Sequence, residues 1–415
     1  MITNILRILL TRSFKPLVFK EKEDYKLSLD VNSTGIYVHT PFCTSLCSFC
    51  PYNKVQYQKE LIEPYKEALI KEINLVGKQD GITRTISSIY FGGGTPALML
   101  EELEEIIAAL KNNFNIHSNI GIELHPRDIT KEMLIKLKNI GFDMVSIGIQ
   151  SFNENCLEKL EREYVDGAKK VKLAREIGFK TIDVDLIFGI VNQSPESLKK
   201  DFKIAFESGA TQVSTYPFID FSYANNKSKP LGKKEKKYLL ESLERVSIEM
   251  DCDRTAVWTF GKRNNDRYSS ITRDTFIGFG PSATSLTREL FKINTFSVEE
   301  YIKCINKNSI PTALTMKFNK RTRALYWLFW NAYTLKLNNS QFKELFGVNL
   351  EDMFGVELRL GRLLGLLKKV EGGYILTKNG TYLYHLAEQK YTNQYIDKTW
   401  RAAKENPWPE EVELY

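Results

Sequence analysis

Three cysteines, Cys43, Cys47 and Cys50, stand in one short stretch, C-T-S-L-C-S-F-C, just after the apolar run Gly35-Ile36-Tyr37-Val38-His39. Three thiolates so close in sequence can close around one metal centre. On a four-iron cluster, three protein ligands leave one iron able to take a small molecule, as catalytic metal sites with an open position do. The alternatives are a zinc site or three buried thiols. Zinc spacing pairs a C-x2-C with a second such pair or with spaced histidines. Here Cys156, Cys252 and Cys304 are isolated and the four histidines are scattered. The spacing favours iron–sulfur chemistry.

Other chemistry-bearing residues follow at intervals. Gly92-Gly93-Gly94-Thr95-Pro96 ends a predicted strand and opens a helical stretch. Glycines there permit close backbone approach, and exposed N–H groups can bind a carboxylate. Gly-rich turns are common on their own. This one matches neither the phosphate loop ending in Gly-Lys-Ser/Thr nor G-x-G-x-x-G, which removes nucleoside triphosphate and dinucleotide readings. Glu123 ends a third strand, where an acid is ordinarily a surface residue. Asp185 ends an apolar strand, and a buried acid needs a partner such as a hydroxyl or an arginine. Arg162, twelve residues after Gln150, lies in a charged helical pattern. There an arginine is ordinarily a solvated ion-pair partner.

These residues need a frame. Strands are expected at 35–40, 87–92, 120–125, 144–150, 181–188 and 212–218. Helices are expected at 61–78, 100–113, 130–140, 153–177, 195–208 and 233–250. Near-continuous apolar runs such as Met144-Val-Ser-Ile-Gly-Ile149 fit parallel strands covered on both faces. Strand–helix alternation gives an α/β sheet, open or curled into a barrel, and periodicity does not choose between them. After about residue 290 the pattern changes. Helical periods at 319–336 and 340–367, a hairpin over 370–380 turning at Gly372-Gly373, and a helix at 381–392 make a winged-helix-like layout.

Composition is that of an ordinary globular chain: 415 residues, 43% hydrophobic and 26% charged, with net charge +7. Clustered cysteines in a large chain read as metal or catalytic rather than as a disulfide framework, which fits a reducing cytoplasm. No apolar run is long enough to span a membrane. Ile5–Leu10, apolar with Arg7, Arg12 and Lys15 around it, is expected to be a helix packing on the barrel rather than a signal peptide. The basic run from Lys227 to Lys237 reads as a solvated helix face, and no nucleic-acid partner is expected.

C-x3-C-x2-C after a first strand is the signature of radical S-adenosylmethionine (SAM) enzymes. The string Y-V-H-T-P-F-C-T-S-L-C-S-F-C-P-Y-N-K resembles one branch of them, containing oxygen-independent coproporphyrinogen III oxidase, haem chaperones and class C methyltransferases. The resemblance continues through Phe91–Pro96, Glu123-Leu-His-Pro126, Ser146–Phe152, Asp185–Gly189 and Gly278–Ala283. It implies a partial (β/α)6 TIM-type barrel with a small C-terminal winged-helix-like domain. The divisions would be an N-terminal extension over 1–34, a core over 35–290 and a C-terminal domain over 305–415. It implies a 4Fe-4S cluster on Cys43, Cys47 and Cys50, and SAM held by Tyr37, Gly93, Glu123 and Thr284. Phe49, Gly94, Thr95, Gln150, Arg162 and Asp185 match positions where the oxidase binds a second SAM, so one SAM or two remains open. No residue is singled out as catalytic. The implied chemistry is reductive SAM cleavage and hydrogen abstraction from an organic substrate, such as a tetrapyrrole. An electron donor such as flavodoxin or ferredoxin would drive it. Methyl transfer and haem carriage are the alternatives. The chain departs from the oxidase in one place: the oxidase has a fourth cysteine two positions after the third, and here Pro51 and Tyr52 follow Cys50. The 1–34 segment is also short for the oxidase's substrate-capping region.

Overall fold

The computed structural model describes residues 2–21, 34–79, 81–117, 119–224, 226–263 and 274–415. Residues 22–33 of the expected N-terminal extension lie outside them. Helix α1 (Ile2–Thr11) opens the described chain. Six strands follow: β1 (Thr34–Thr40), β2 (Thr85–Gly93), β3 (Ile120–Leu124), β4 (Phe142–Gln150), β5 (Thr181–Phe188) and β6 (Gln212–Pro217). Each pairs in parallel with its predecessor. Between them run α2 (Lys59–Gly77), α3 (Leu103–Asn113), α4 (Lys131–Ile140), then α5 (Glu154–Lys159) with α6 (Gly167–Ile177), and α7 (Pro195–Glu207). Helix α8 (Lys233–Glu249) follows β6. This is the α/β architecture of a partial TIM-type barrel. The strands are buried on both faces, β1 at six of its seven positions, because helices cover one side and the barrel interior the other.

Local chemistry sets the helix ends. Thr130 caps α4 by accepting the Met133 N–H at 3.1 Å, and Ser194 caps α7 in a reciprocal box with Ser197. The single helix expected over 153–177 is two. Asn153 caps α5, the chain leaves the helix at Leu160, and Asp166 caps α6 through the Lys169 N–H. The turn between them carries Arg162.

The sheet extends beyond the six strands. Thr275–Phe279 pairs in parallel with β1. An antiparallel run continues through Thr284–Leu286, Leu290–Asn294, Thr312–Lys317, Leu17–Glu21 and Glu411–Leu414. At the other edge Thr259–Lys262 pairs antiparallel with β6. Helix α9 (Val298–Asn306) lies between two of these strands. The extra strands are short and mixed in polarity, so their pattern does not stand out.

The winged unit comprises α10 (Lys320–Tyr333), α11 (Asn339–Phe346), α12 (Leu350–Leu363) and the hairpin Leu367–Val370/Gly373–Leu376. The helix expected over 340–367 divides because Gly347 turns the chain and Asn349 starts α12. Trp327, Phe342, Leu350, Phe354 and Tyr374 form the unit's own core. The last helix, α13 (Lys378–Glu405), is much longer than expected. It leaves the winged unit and runs over the strand ends. His385 Nδ1 accepts from Trp258 Nε1 at 2.8 Å, and its ring lies 6.1 Å from that of Phe188 at the end of β5. Asp397 accepts the Ser222 N–H at 2.8 Å.

Candidate metal centre

The cysteine loop begins where β1 ends, and backbone bonds pin both its ends. Gly94 and Thr95 donate N–H bonds to Thr40 O (2.6 Å) and Phe42 O (2.7 Å). Val55 and Tyr57 donate to Pro41 O (2.7 Å) and Cys43 O (2.8 Å), folding the loop back on its start. Two glycines make this possible. A Cβ on Gly94 would lie 2.5 Å from Phe42 O, and Gly93 has φ +112° with the His39 ring where a Cβ would sit. The distal part is held by polar side chains. Lys54 Nζ donates to Cys50 O at 2.8 Å, Arg127 to Thr44 Oγ1 at 2.8 Å, and Ser48 Oγ to Glu161 at 3.0 Å. Thr44, Ser45 and Leu46 face solvent.

All six cysteines are free thiols. Cys43 is buried, 3.8 Å from Thr95 Oγ1, and burial pushes its pKa up to about 11. Burial raises Cys50 as well, opposed by the nearby Lys54 ammonium. Each of the three thiols lies within electrostatic reach of another. Among the described residues no three Cys, His, Asp or Glu side chains are placed to hold a single metal ion. A four-iron cluster spreads its ligands more widely than one ion does. Three free thiols on one pinned loop, with Cys47 and Cys50 partly open, fit that larger group, and ligation would remove the protons that burial retains.

Carboxylates and an arginine face the loop. Glu123 Oε2 accepts the Gly93 N–H at 3.0 Å. Burial raises Glu123 to about 7, opposed by Gly93 and Tyr90. Asp185 Oδ2 accepts from Ser146 Oγ at 3.0 Å. Burial, then the charges of Asp183 and Glu123, push Asp185 well above the carboxylate range, with Arg162 opposing. Arg162 donates to Gly148 O at 2.6 Å and lies 6.0 Å from the Phe49 ring centre, within reach of Cys47, Cys50 and Asp185. Gln150 (φ +70°) and Glu161 (φ +54°) are non-glycine residues in the left-handed region. Such local strain at a site bearing several functional groups is held by its surroundings.

Residues 37–205 match the radical SAM superfamily. That span takes in the cysteine loop, the glycine turn, Glu123, Gln150, Arg162 and Asp185. The heme chaperone HemW of Bacillus subtilis (strain 168) is 27% identical over 366 residues, covering 84% of this chain and 96% of the relative. An oxygen-independent coproporphyrinogen III oxidase of Helicobacter pylori is 25% identical over 386 residues, covering 84% and 83%. The solved coproporphyrinogen III oxidase HemN of Escherichia coli superposes with TM-score 0.77 at 22% identity, covering 92% of this chain and 98% of that one, a likeness of fold. Residues 37–205 thus carry a radical SAM domain, and over most of its length the chain is similar to HemW and to oxygen-independent coproporphyrinogen III oxidases. A radical SAM domain implies a 4Fe-4S cluster and SAM.

The expected residues fall in two places. Cys43, Gly93, Gly94, Thr95 and Glu123 are joined by the contacts above. Tyr37 adjoins them through His39, whose Nδ1 lies 3.0 Å from the Tyr37 hydroxyl. Phe49, Arg162 and Asp185 form a second group beside Cys47 and Cys50, with the Gln150 amide packed close to Gly148. Thr284 adjoins Tyr37 through Gly278, which pairs with Tyr37 across the sheet. It opens an antiparallel strand opposite Ile293, and its backbone packs on Gly278. Several residues of this radical SAM site were not foreseen. Arg127, Lys54 and Glu161 clamp the loop, while Cys156, Ile187 and Phe218 pack with Phe49 against Cys47 and Cys50. Tyr52, where the oxidase has its fourth cysteine, is 48% exposed yet faces Glu123 and Asp185, so it lines the mouth. The signal for Tyr52 was the departure itself. Arg127 and Lys54 had none beyond nearness to the motifs.

Proposed function

We propose that this chain is a radical SAM enzyme that takes a hydrogen atom from an organic substrate held at the barrel mouth. The observation that carries this reading is the pinned three-thiol loop lying against the Gly93–Glu123 turn. When bound, the cluster and SAM supply one-electron cleavage of the SAM carbon–sulfur bond and the hydrogen abstraction that follows. The chain's own residues bind and orient. Cys43, Cys47 and Cys50 hold the cluster. The Glu123 carboxylate receives an ammonium, and the Gly93–Thr95 backbone shapes the space beside it. The Asp185 carboxyl and the Arg162 guanidinium offer hydrogen bonds to polar groups of a bound SAM. The core over 35–290 carries this site, and the 305–415 region covers it, with α13 across the strand ends excluding water from a reactive intermediate. The relatives' names support a tetrapyrrole as substrate. Tyr52 in place of a fourth cysteine separates this mouth from that of the oxidase. A flavodoxin or ferredoxin in a reducing cytoplasm would supply the electron.

One observation favours a second reading. Gln150, Arg162 and Asp185 gather beside Phe49, at the positions that match a second SAM, which supports methyl transfer. Haem carriage has less support from the histidines. His39 Nε2 is bonded to Asn53 O at 2.9 Å, and His385 lies between Trp258 and Gln389.

Anaerobic reconstitution followed by product analysis tests these readings. About four irons per chain are expected, and Ala at any one of Cys43, Cys47 or Cys50 abolishes the cluster absorption and SAM cleavage. Full activity in one such variant sinks the assignment. 5′-Deoxyadenosine alone supports hydrogen abstraction. S-adenosylhomocysteine or methylthioadenosine in addition supports group transfer. Stoichiometric haem binding without SAM consumption supports carriage.

A further inference from the structure

Two sets of exposed apolar side chains meet at one junction on the outside of the molecule, away from the cysteine loop in sequence and in contacts. The first is the turn after α1. Its conformation is built rather than frayed. The Arg7 guanidinium donates to the carbonyls of Ser13 (3.3 Å), Phe14 (3.2 Å) and Lys15. Thr11 Oγ1 donates to Arg7 O at 2.7 Å, and Arg12 adopts φ +55°. The turn so held leaves Phe14 86% exposed. Leu9, on the preceding helical turn, is 63% exposed. An ordered turn that presents a phenyl ring to water carries an unfavourable hydration term that a contact would remove.

The second set lies on α12. Leu350, Phe354 and Leu358 point into the winged unit. On the opposite face stand Val356, Leu360, Leu363 and Leu364, exposed by 60%, 53%, 83% and 70%. Their spacing places them on one stripe. Arg321 joins the two sets. It donates to Leu10 O (2.9 Å) at the end of α1 and to Met353 O (2.7 Å) on α12, and it pairs with Glu357, which Arg12 also approaches at 3.6 Å.

The surroundings are cationic. Arg12, Lys15, Arg359, Arg362 and Lys368 are exposed around the apolar groups. The acids near them are engaged: Glu357 lies between two arginines, Glu351 meets Lys369 and the Tyr374 hydroxyl, and Asp352 accepts the Asn349 N–H. Glu371 at the hairpin turn and Asp352 are exposed to water.

We propose that this face docks the protein peripherally on an anionic lipid surface, with Phe14, Leu363 and Leu364 entering the acyl boundary and the arginines and lysines meeting headgroup phosphates. The protruding apolar groups come from two separate elements, which suits a deformable apolar medium better than a fixed protein ridge. A second copy of the chain would bring like charges together. Helix-turn-helix units that read DNA present polar side chains to base edges, whereas α12 presents leucines. Apolar insertion combined with cations is the physical basis of interfacial binding to anionic membranes. No described helix is long and apolar enough to cross a membrane, so the contact is peripheral. This inference does not depend on the radical chemistry proposed above.

Co-sedimentation of the full chain with vesicles tests it. Wild type binds vesicles of phosphatidylcholine mixed with phosphatidylglycerol, binds phosphatidylcholine alone far less, and is released by salt. The triple variant Phe14→Asp, Leu363→Asp, Leu364→Asp loses binding by more than about tenfold, since acyl contact is lost and like charge added. Arg359→Ala with Arg362→Ala weakens binding by about tenfold or more. Circular dichroism and cluster absorption stay at wild-type level in both, because none of these side chains touches the cysteine loop. Three results overturn the proposal. They are no binding of wild type to the anionic vesicles, equal binding to neutral and anionic vesicles, and a concentration-dependent dimer in analytical ultracentrifugation that the triple variant abolishes, which would assign the face to a second copy.

Discussion

Glu72 and Glu123 are both withdrawn from bulk water, and the protein uses them differently. Glu72, on α2, is completely buried and surrounded by donors: the Gly280 N–H at 2.8 Å, Asn294 Nδ2 at 2.9 Å and the Tyr301 hydroxyl at 2.7 Å, with Lys292 facing it. It knits α2 and α9 to the loop after Thr275–Phe279. Glu123 ends β3 only half-buried and accepts from Gly93 with Tyr90 beside it. A carboxylate surrounded by donors is a structural tie. One left with open acceptor capacity at a strand end is free to receive a ligand.

Removing the tie produces the largest stability effect. Glu72→Ala leaves Gly280, Asn294 and Tyr301 without this acceptor and removes the carboxyl that faces Lys292. The expected loss is on the order of 3–5 kcal/mol, because breaking a buried pair strands the remaining partners. Denaturant unfolding reads it. A loss below about 1 kcal/mol would show that the network relaxes onto water and would blur the contrast with Glu123.

Glu123→Gln reverses the pattern. It keeps the shape and one acceptor for Gly93, so unfolding stability changes little. SAM binding to the reconstituted protein weakens by about 1.5–3 kcal/mol, roughly ten- to a hundredfold. The sign of its pH dependence follows from the shift. Folding raises this carboxyl from 4.5 to about 7, so the folded state holds the proton more tightly. Stability contributed by the protonated form is present at low pH and declines as pH rises from 4.5 through about 7. SAM affinity moves the other way, since only the ionised group pairs an ammonium. Glu123→Gln flattens both trends, and an unchanged pH profile of binding would remove Glu123 from the site.

Asp185→Asn tests the second group by itself. It retains size and exchanges the carboxyl that hydroxyls or Arg162 would meet for an amide. Cluster assembly survives, while binding of a second SAM weakens by a similar ten- to hundredfold factor. A stoichiometry of one in wild type that the substitution leaves unaltered would rule out a second SAM at this position.

The two carboxylates also show what was legible in the sequence. Glu123 was legible only through the resemblance carried by Glu123-Leu-His-Pro126, since a strand-end acid by itself reads as a surface residue. The six parallel strands were visible in the pattern itself: runs buried on both faces carry an apolar signal that solvent-facing strands lack. Glu72 was invisible. It sits inside the charged amphipathic pattern of α2, and its partners come from 208 to 229 residues away. Asn294 lies on the antiparallel extension, whose strands are three to six residues long, while Gly280 is in the loop after Thr275–Phe279 and Tyr301 is on α9. Arg162 shows a subtler limit. A charged stretch from 153 to 177 reads as one helix, yet the chain leaves it at Leu160 through the left-handed Glu161 (φ +54°), and Arg162 then bonds Gly148 O beside the Phe49 ring.

The smallest expected effect lies on the outer side of the cysteine loop, at Arg127. Its guanidinium holds Thr44 Oγ1 and pairs with Glu163 at 3.1 Å, but the two side chains are 39% and 69% exposed. Water competes for both groups, and holding two long side chains in one geometry costs entropy, so exposed pairs contribute about 0–1 kcal/mol. Arg127→Ala is therefore expected to shift unfolding stability by less than about 1 kcal/mol. Iron content after reconstitution should be unchanged, because backbone bonds from Gly94, Thr95, Val55 and Tyr57 fix the loop independently of this clamp. The measurement separates two ways of holding a cluster loop. Wild-type iron content with a near-wild-type midpoint places the work on the buried backbone ladder. A large loss of iron at unchanged stability would place it on the exposed clamp, and would make Arg127 the counterpart of Glu123 on the opposite side of the loop.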